Sequence, residues 1–161
     1  MNTNSYSQLV RYQQWASRGL YEVLGHHIDR LNAEDAANLM RILDHIFVVE
    51  RIFQHHLQGR PHGFRAARSD AMPDMDRLAK DAMEVDDWYV SYVENLSTQA
   101  VEQAVDFAYI NGTPARMTRG EILLHVCLHG TYHRGNAGVI LLKNNVMPNQ
   151  DRMTDFLETV A

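Results

Sequence analysis

The sequence predicts an all-α fold, a four-helix bundle with one longer crossover between its third and fourth helices. Three observations predict it. Apolar residues recur at three- and four-residue steps along four long segments, the period of a helix with one buried face. Proline (4) and glycine (9) are sparse among the 161 residues, so long helices are not interrupted. The breaks between segments are short except for one, which favours antiparallel neighbours in a bundle. At this length the chain is expected to form one domain over residues 1–161.

The first helix is expected over 5–28, where Leu9, Tyr12, Ala16, Leu20, Val23 and Leu24 share a face. A second follows over 33–58, through Leu39, Ile42, Ile46, Val49, Ile52 and Phe53. Asn32 suits its N-cap, and Gly59 followed by Pro61 is a stop signal. Residues 59–72 are basic and poor in aliphatics, hence a loop. Pro73 is expected in the first turn of a third helix, over 73–97, with Asp74 and Asp76 near the positive end of its dipole. Residues 99–117 lose the rhythm, and Asn111-Gly112 favours a tight turn, so an irregular or hairpin crossover is expected there. Thr118-Arg-Gly-Glu121 matches a capping box and opens the fourth helix, 119–143, which Asn144, Asn145 and Pro148 end. Residues 151–159 can add a short terminal helix.

Composition narrows the function. Hydrophobic residues are 45% and charged residues 22%, with a net charge of -5, and no segment carries a Lys/Arg block. Nucleic-acid binding needs a basic footprint, so it is not expected. No apolar run reaches the roughly 20 residues that span a bilayer, and the N-terminus lacks the basic-then-apolar pattern of a leader. The single cysteine, Cys127, fits a reducing compartment. A cytoplasmic protein with neither nucleic-acid nor membrane partners is expected.

The chemistry concentrates in histidine, present nine times. His125, His129 and His133 recur every four residues on the fourth helix, so they form one stripe in which neighbours can share an ion. Chance alone supplies roughly 0.4 such pairs in a chain like this, so two consecutive pairs carry information. His45 on the apolar face of the second helix can supply a third ligand, since bundles build metal sites from side chains on facing helices. Read singly, each of these is also what a hydrogen-bonded interior histidine looks like. His55 and His56 are expected to be solvated, His26 and His27 to face the end of the first helix dipole, and His62 to sit in a loop. Cys127 reads as a buried inert thiol, and Arg134 as half of a salt bridge. Trp15 and Trp88 read as core residues, while Gly135 and Gly138 read as positions of close helix packing, a second subunit being one candidate for the packed partner.

The run His125-Val-Cys-Leu-His129-Gly-Thr-Tyr-His133-Arg-Gly-Asn136 closely resembles the fourth-helix motif of the DinB family of helical bundles. Tyr12-Gln-Gln-Trp15-Ala16, Asp44-His45-Ile-Phe-Val-Val-Glu50-Arg-Ile-Phe and Pro148…Asp155-Phe156-Leu157 resemble its other signatures, in family order and over nearly the whole chain. The resemblance implies a site for one divalent ion, Zn²⁺ or Ni²⁺, on His45, His129 and His133, with His125 a neighbour. It also implies, from relatives, a thiol-dependent transferase or isomerase using a low-molecular-weight thiol, and a homodimer acting on a small-molecule ligand. Three neutral nitrogens leave a coordination position open, which suits activation of a thiol or water. The alternatives are a metal-dependent hydrolase and a non-catalytic protein whose metal is structural. Carboxylates are expected to orient the histidines.

Overall fold

The computed structural model describes residues 3–160; Met1, Asn2 and Ala161, the ends of the expected unit, lie outside them. Four long helices make the bundle: α1 (Thr3–His27), α2 (Ala33–Leu57), α3 (Met75–Glu94) and α5 (Arg119–Lys143). A one-turn helix, α4 (Thr98–Val101), a two-stranded antiparallel hairpin of β1 (Ala104–Ala108) and β2 (Pro114–Thr118), and a terminal α6 (Met153–Thr159) complete it. A 3₁₀ turn, Ile28–Arg30, joins α1 to α2. In the ring of neighbours α2 packs on α5 and α3, and α1 on α3 and α5.

Caps fix the boundaries. Asn32 caps α2 by accepting from the Asp35 amide, and Thr118 and Glu121 form the full reciprocal box at α5. At α3 the cap is Asp74, whose side chain accepts from the Arg77 amide. Pro73 therefore precedes the cap and is not in the first turn as expected, and the helix stops at Glu94, short of residue 97. Ser97 then caps the single turn of α4, which the sequence reading had folded into the irregular stretch. The hairpin is present. In its turn the Gly112 amide donates to the Tyr109 carbonyl, and Gly112 takes φ 83, which only glycine adopts without strain.

The apolar interior is in two main parts, with a smaller third of Tyr12, Ala16 and Phe156. One gathers Val10, Val49, Phe53, Val85, Tyr89, Ile122 and Val126. The other gathers Leu20, Leu24, Leu39, Leu43, Leu78, Ala137 and Leu141. Buried polar side chains are set among these apolar residues: Gln13 and Ser17 from α1, Glu50 from α2, Asp86 from α3 and Arg134 from α5. Trp15 and Trp88 are half-buried and pack at the margins of the core.

The close approaches to α5 occur at Gly120 and Gly130. A Cβ on Gly130 would lie 2.4 Å from Gln13 Nε2, whereas one on Gly135 meets nothing within 4 Å and one on Gly138 only Pro148 at ordinary distance. Gly135 and Gly138 thus make no tight approach within the chain, which leaves packing against a second subunit as the expectation for them, whereas Gly120 and Gly130 are the positions where the chain itself leaves no room for a Cβ.

Candidate metal centre

α2 and α5 pack directly on one another, so inward residues of one meet those of the other. His45 projects from α2, and His129 and His133 from successive turns of α5. Their ring centroids are 4.8 Å (His45–His129), 4.7 Å (His45–His133) and 4.5 Å (His129–His133) apart. One nitrogen from each lies within 4.8 Å of the other two, and among the described residues this is the group of three that could hold a metal ion. His125, one turn earlier, packs its ring on Phe53 at 4.7 Å and stays outside the group.

The loop before α3 sets the tautomer of His45. The Ala67 carbonyl lies 2.8 Å from His45 Nδ1, so that nitrogen carries the hydrogen and donates it. The lone pair of Nε2 is then directed at the other rings. Asp44 holds the loop in place: it is buried, and its carboxylate accepts from the Ser69 amide at 2.8 Å and from the Ser69 hydroxyl at 2.5 Å. The orienting group at His45 is therefore a backbone carbonyl, with the carboxylate acting one step further out through Ser69.

His129 Nε2 is 3.0 Å from His45 Nε2, and its Nδ1 is buried without a hydrogen-bond partner. Whichever nitrogen of His129 is protonated, the triad has no closed hydrogen-bond arrangement of its own. Two nitrogens held about 2.0–2.1 Å from a tetrahedral ion lie about 3.3 Å apart, close to the observed separation. Burial first, then the neighbouring rings His133, His45 and His125, push the His129 pKa down to about 3. Burial and His45 lower that of His133. Both are neutral at pH 7, the form in which imidazole binds a cation. The donor set thus fits a divalent transition metal.

A model of the DinB family matches residues 1–158. The chain belongs to the DinB family. The helical bundle agrees with that membership, and within it His45, His129 and His133 converge as a group that could hold a metal ion. No curated protein matches the chain significantly. Among the described residues no helix is long and apolar enough to cross a membrane.

Other expectations resolve as follows. Cys127 is buried and free, with its thiol pushed up to about 12 by burial and by Glu50 and Asp86, so it is inert. Arg134 is in a salt bridge, to Asp151 at 2.7 Å, and it also donates to Gln13 Oε1 at 2.5 Å. His56 is not freely solvated: it is half-buried and stacks on Phe107 at 4.5 Å, while the Nδ1 of His55 bonds the Arg51 carbonyl. The sequence reading missed Asp44, Gln13, Glu50 and Asp86 as interior polar groups. A signal was present for Asp86, which lies on the apolar stripe of α3 between Ala82 and Tyr89.

Proposed function

We propose that this DinB-family chain binds one divalent transition metal, Zn²⁺ or Ni²⁺, through His45, His129 and His133, and is a metal-dependent enzyme activating a thiol or a water molecule. The observation that carries the reading is the convergence of three imidazoles, with the His45 ring oriented by the Ala67 carbonyl. Nitrogen donors of this kind favour Zn²⁺, Ni²⁺ or Cu²⁺ over Mg²⁺ or Ca²⁺. A metal with an open position supplies a lowered pKa for a bound thiol or water. The residues supply the rest: His45 is oriented from the loop, and α5 fixes the spacing of His129 and His133. The cavity that reaches His129 favours a reactive centre over a purely structural staple, since structural sites are closed. Transfer from a low-molecular-weight thiol is the first reaction to assay, and metal-assisted hydrolysis the second.

The test is metal content. Purified protein reconstituted with Zn²⁺ should hold one ion per chain by elemental analysis. His129→Ala should hold none, and His56→Ala should match the wild type. Full occupancy in His129→Ala refutes the site. If chelation instead lowers stability by several kcal/mol and no thiol or ester is turned over, the structural reading takes its place.

A homodimer belongs to the same proposal. Leu128, Tyr132, Val139 and Leu142 are exposed on α5 at helical spacing, with Gly135 among them. Such a stripe suits a self-complementary two-fold contact. Light scattering at micromolar concentration should give twice the chain mass, and Tyr132→Glu should return it to one. The lone buried thiol supports a reducing, cytoplasmic setting.

A further inference from the structure

The cavity beside the triad has a chemistry of its own. Its volume is about 810 Å³, within the range that takes drug-sized organic molecules. It lies between α2, α5, the hairpin and the loop before α3, and His129 is part of its wall, so a ligand inside it reaches the centre. Away from that edge the wall is mostly carbon: Ile52 and Phe53 from α2, Phe107 from β1 and Ile110 from the hairpin turn. Phe53 and Phe107 meet edge to face at 5.7 Å, and His56 lies flat on Phe107. Turns normally carry polar residues, yet Tyr109 and Ile110 bring apolar side chains that are 50% and 40% exposed, and both face the cavity.

Among the described residues the cavity wall offers no unpaired Lys or Arg. Arg65, at its rim, is paired with Asp70 at 2.8 Å. Arg134, which follows a ligand in sequence and would suit an anionic cofactor, is buried and committed to Asp151 and Gln13. An anionic group held away from the metal edge gives up its hydration against a mostly carbon wall. A flat apolar molecule gains the ring faces and the aliphatic wall.

Resting on the metal reading above, we propose that the pocket selects a neutral, flat, apolar molecule, an aromatic ring system bearing one thiol or hydroxyl donor, with the ring against Phe53 and Phe107 and the donor toward the triad. Phe107 and Ile110 are its specificity-determining residues.

The test compares two thiols on the full-length Co²⁺-loaded protein, benzyl mercaptan and 2-mercaptoethanesulfonate, read by calorimetry and by the visible Co²⁺ spectrum. The neutral aromatic thiol should bind at least about tenfold more tightly. Phe107→Ser should remove most of that preference without changing metal stoichiometry. Ile110→Asp, at an exposed turn position, repeats the test without touching the strand. Equal or tighter binding of the sulfonate overturns the proposal, as does a preference that both variants leave intact. A second arm needs no metal. Metal-free protein is titrated with 2-naphthalenemethanol and followed by its fluorescence. Binding that weakens in Ile110→Asp supports the pocket, and no binding overturns it. If the protein takes up no metal but binds the naphthalene probe in this way, the metal reading fails and the pocket stands.

Discussion

Gln13, Glu50, Arg134 and Asp151 form a chain in which donors meet acceptors. His45, His129 and His133, on the same α2 and α5, present like atoms to one another. In the first cluster Gln13 donates to Glu50 at 2.8 Å, Arg134 donates to Gln13, and Asp151 closes on Arg134 and on the Tyr12 hydroxyl. In the second, two Nε2 atoms approach to 3.0 Å and a buried Nδ1 goes unanswered. The first is complementary and shut inside the bundle. The second is frustrated and opens on a cavity. Incompleteness alone does not mark a ligand site, since both carboxylate oxygens of the buried Asp86 also lack hydrogen-bond partners; what sets the triad apart is three converging donors beside a cavity.

The largest expected effect separates the clusters by stability. Arg134 is the buried cation beside the buried acids Glu50 and Asp86. Arg134→Met should cost about 3–5 kcal/mol, because removing one member of a buried ionic group strands the others. His129→Ala should change the stability of the metal-free protein by less than about 1 kcal/mol, since it deletes one neutral hydrogen bond, to His45, together with a buried Nδ1 that has no partner. Urea unfolding of the two variants checks both. Equal losses would erase the distinction.

The clusters should also answer pH in opposite directions. Burial pushes the Asp86 carboxyl up to about 7, against the opposing pull of Arg134, and lifts Glu50 well above the ordinary range. Between the unfolded value of 3.8 and about 7 the folded state binds the Asp86 proton and the unfolded chain does not. Stability from this group therefore falls as pH rises. His129, held down to about 3 against 6.5, does the reverse: its contribution is complete above 6.5 and is lost as pH falls toward 3. Relative to wild type, Asp86→Asn should gain stability as pH rises from about 5 to 8, and His129→Ala should gain as pH falls from about 6.5 to 4. Urea midpoints across this range test it, and two variants that run parallel to wild type would defeat it. In the metal-loaded protein the same protonation releases the ion.

How much of this was legible in the sequence depends on whether the information is periodic. The helices of Leu39-Ile46-Phe53 and Leu123-Val126 repeat their apolar residues and announce themselves, as does the Thr118–Glu121 box. The four-residue spacing of His129 and His133 is likewise a helical fact. His45 could be placed on an inward face, and the family motif supplied its pairing. The cavity was not legible, because it joins Phe53 to Phe107 across a hairpin, and no local pattern reports a contact between residues 54 positions apart. The Ala67 carbonyl was hidden for the same reason: loop backbone carries no residue-type signal. The burial of Glu50 and Arg134 was not legible either, because the helix period assigns faces but does not say which polar side chains a bundle takes into its core.

The smallest expected effects lie on two faces of one helix and sharpen the comparison between closed interior and open surface. Gly130 and Gly135 are five residues apart on α5, and glycine costs either position about 1 kcal/mol of helix propensity relative to alanine. At Gly130 the new methyl would lie 2.4 Å from Nε2 and 2.7 Å from Oε1 of Gln13, the residue that links Glu50 to Arg134. Displacing it breaks the closed chain, so Gly130→Ala should lose about 1–3 kcal/mol in spite of the propensity gain. At Gly135 the methyl meets open space within the chain. There Gly135→Ala should stabilise an isolated chain by up to about 1 kcal/mol, with no change in metal stoichiometry. Measured at protein concentrations below and above any dimer's dissociation constant, the same substitution reports on the outer stripe. A gain at low concentration that turns into a loss at high concentration places Gly135 against a second copy. A gain at both concentrations places the contact, if there is one, away from this position. Destabilisation at low concentration would contradict the outward placement of Gly135 itself.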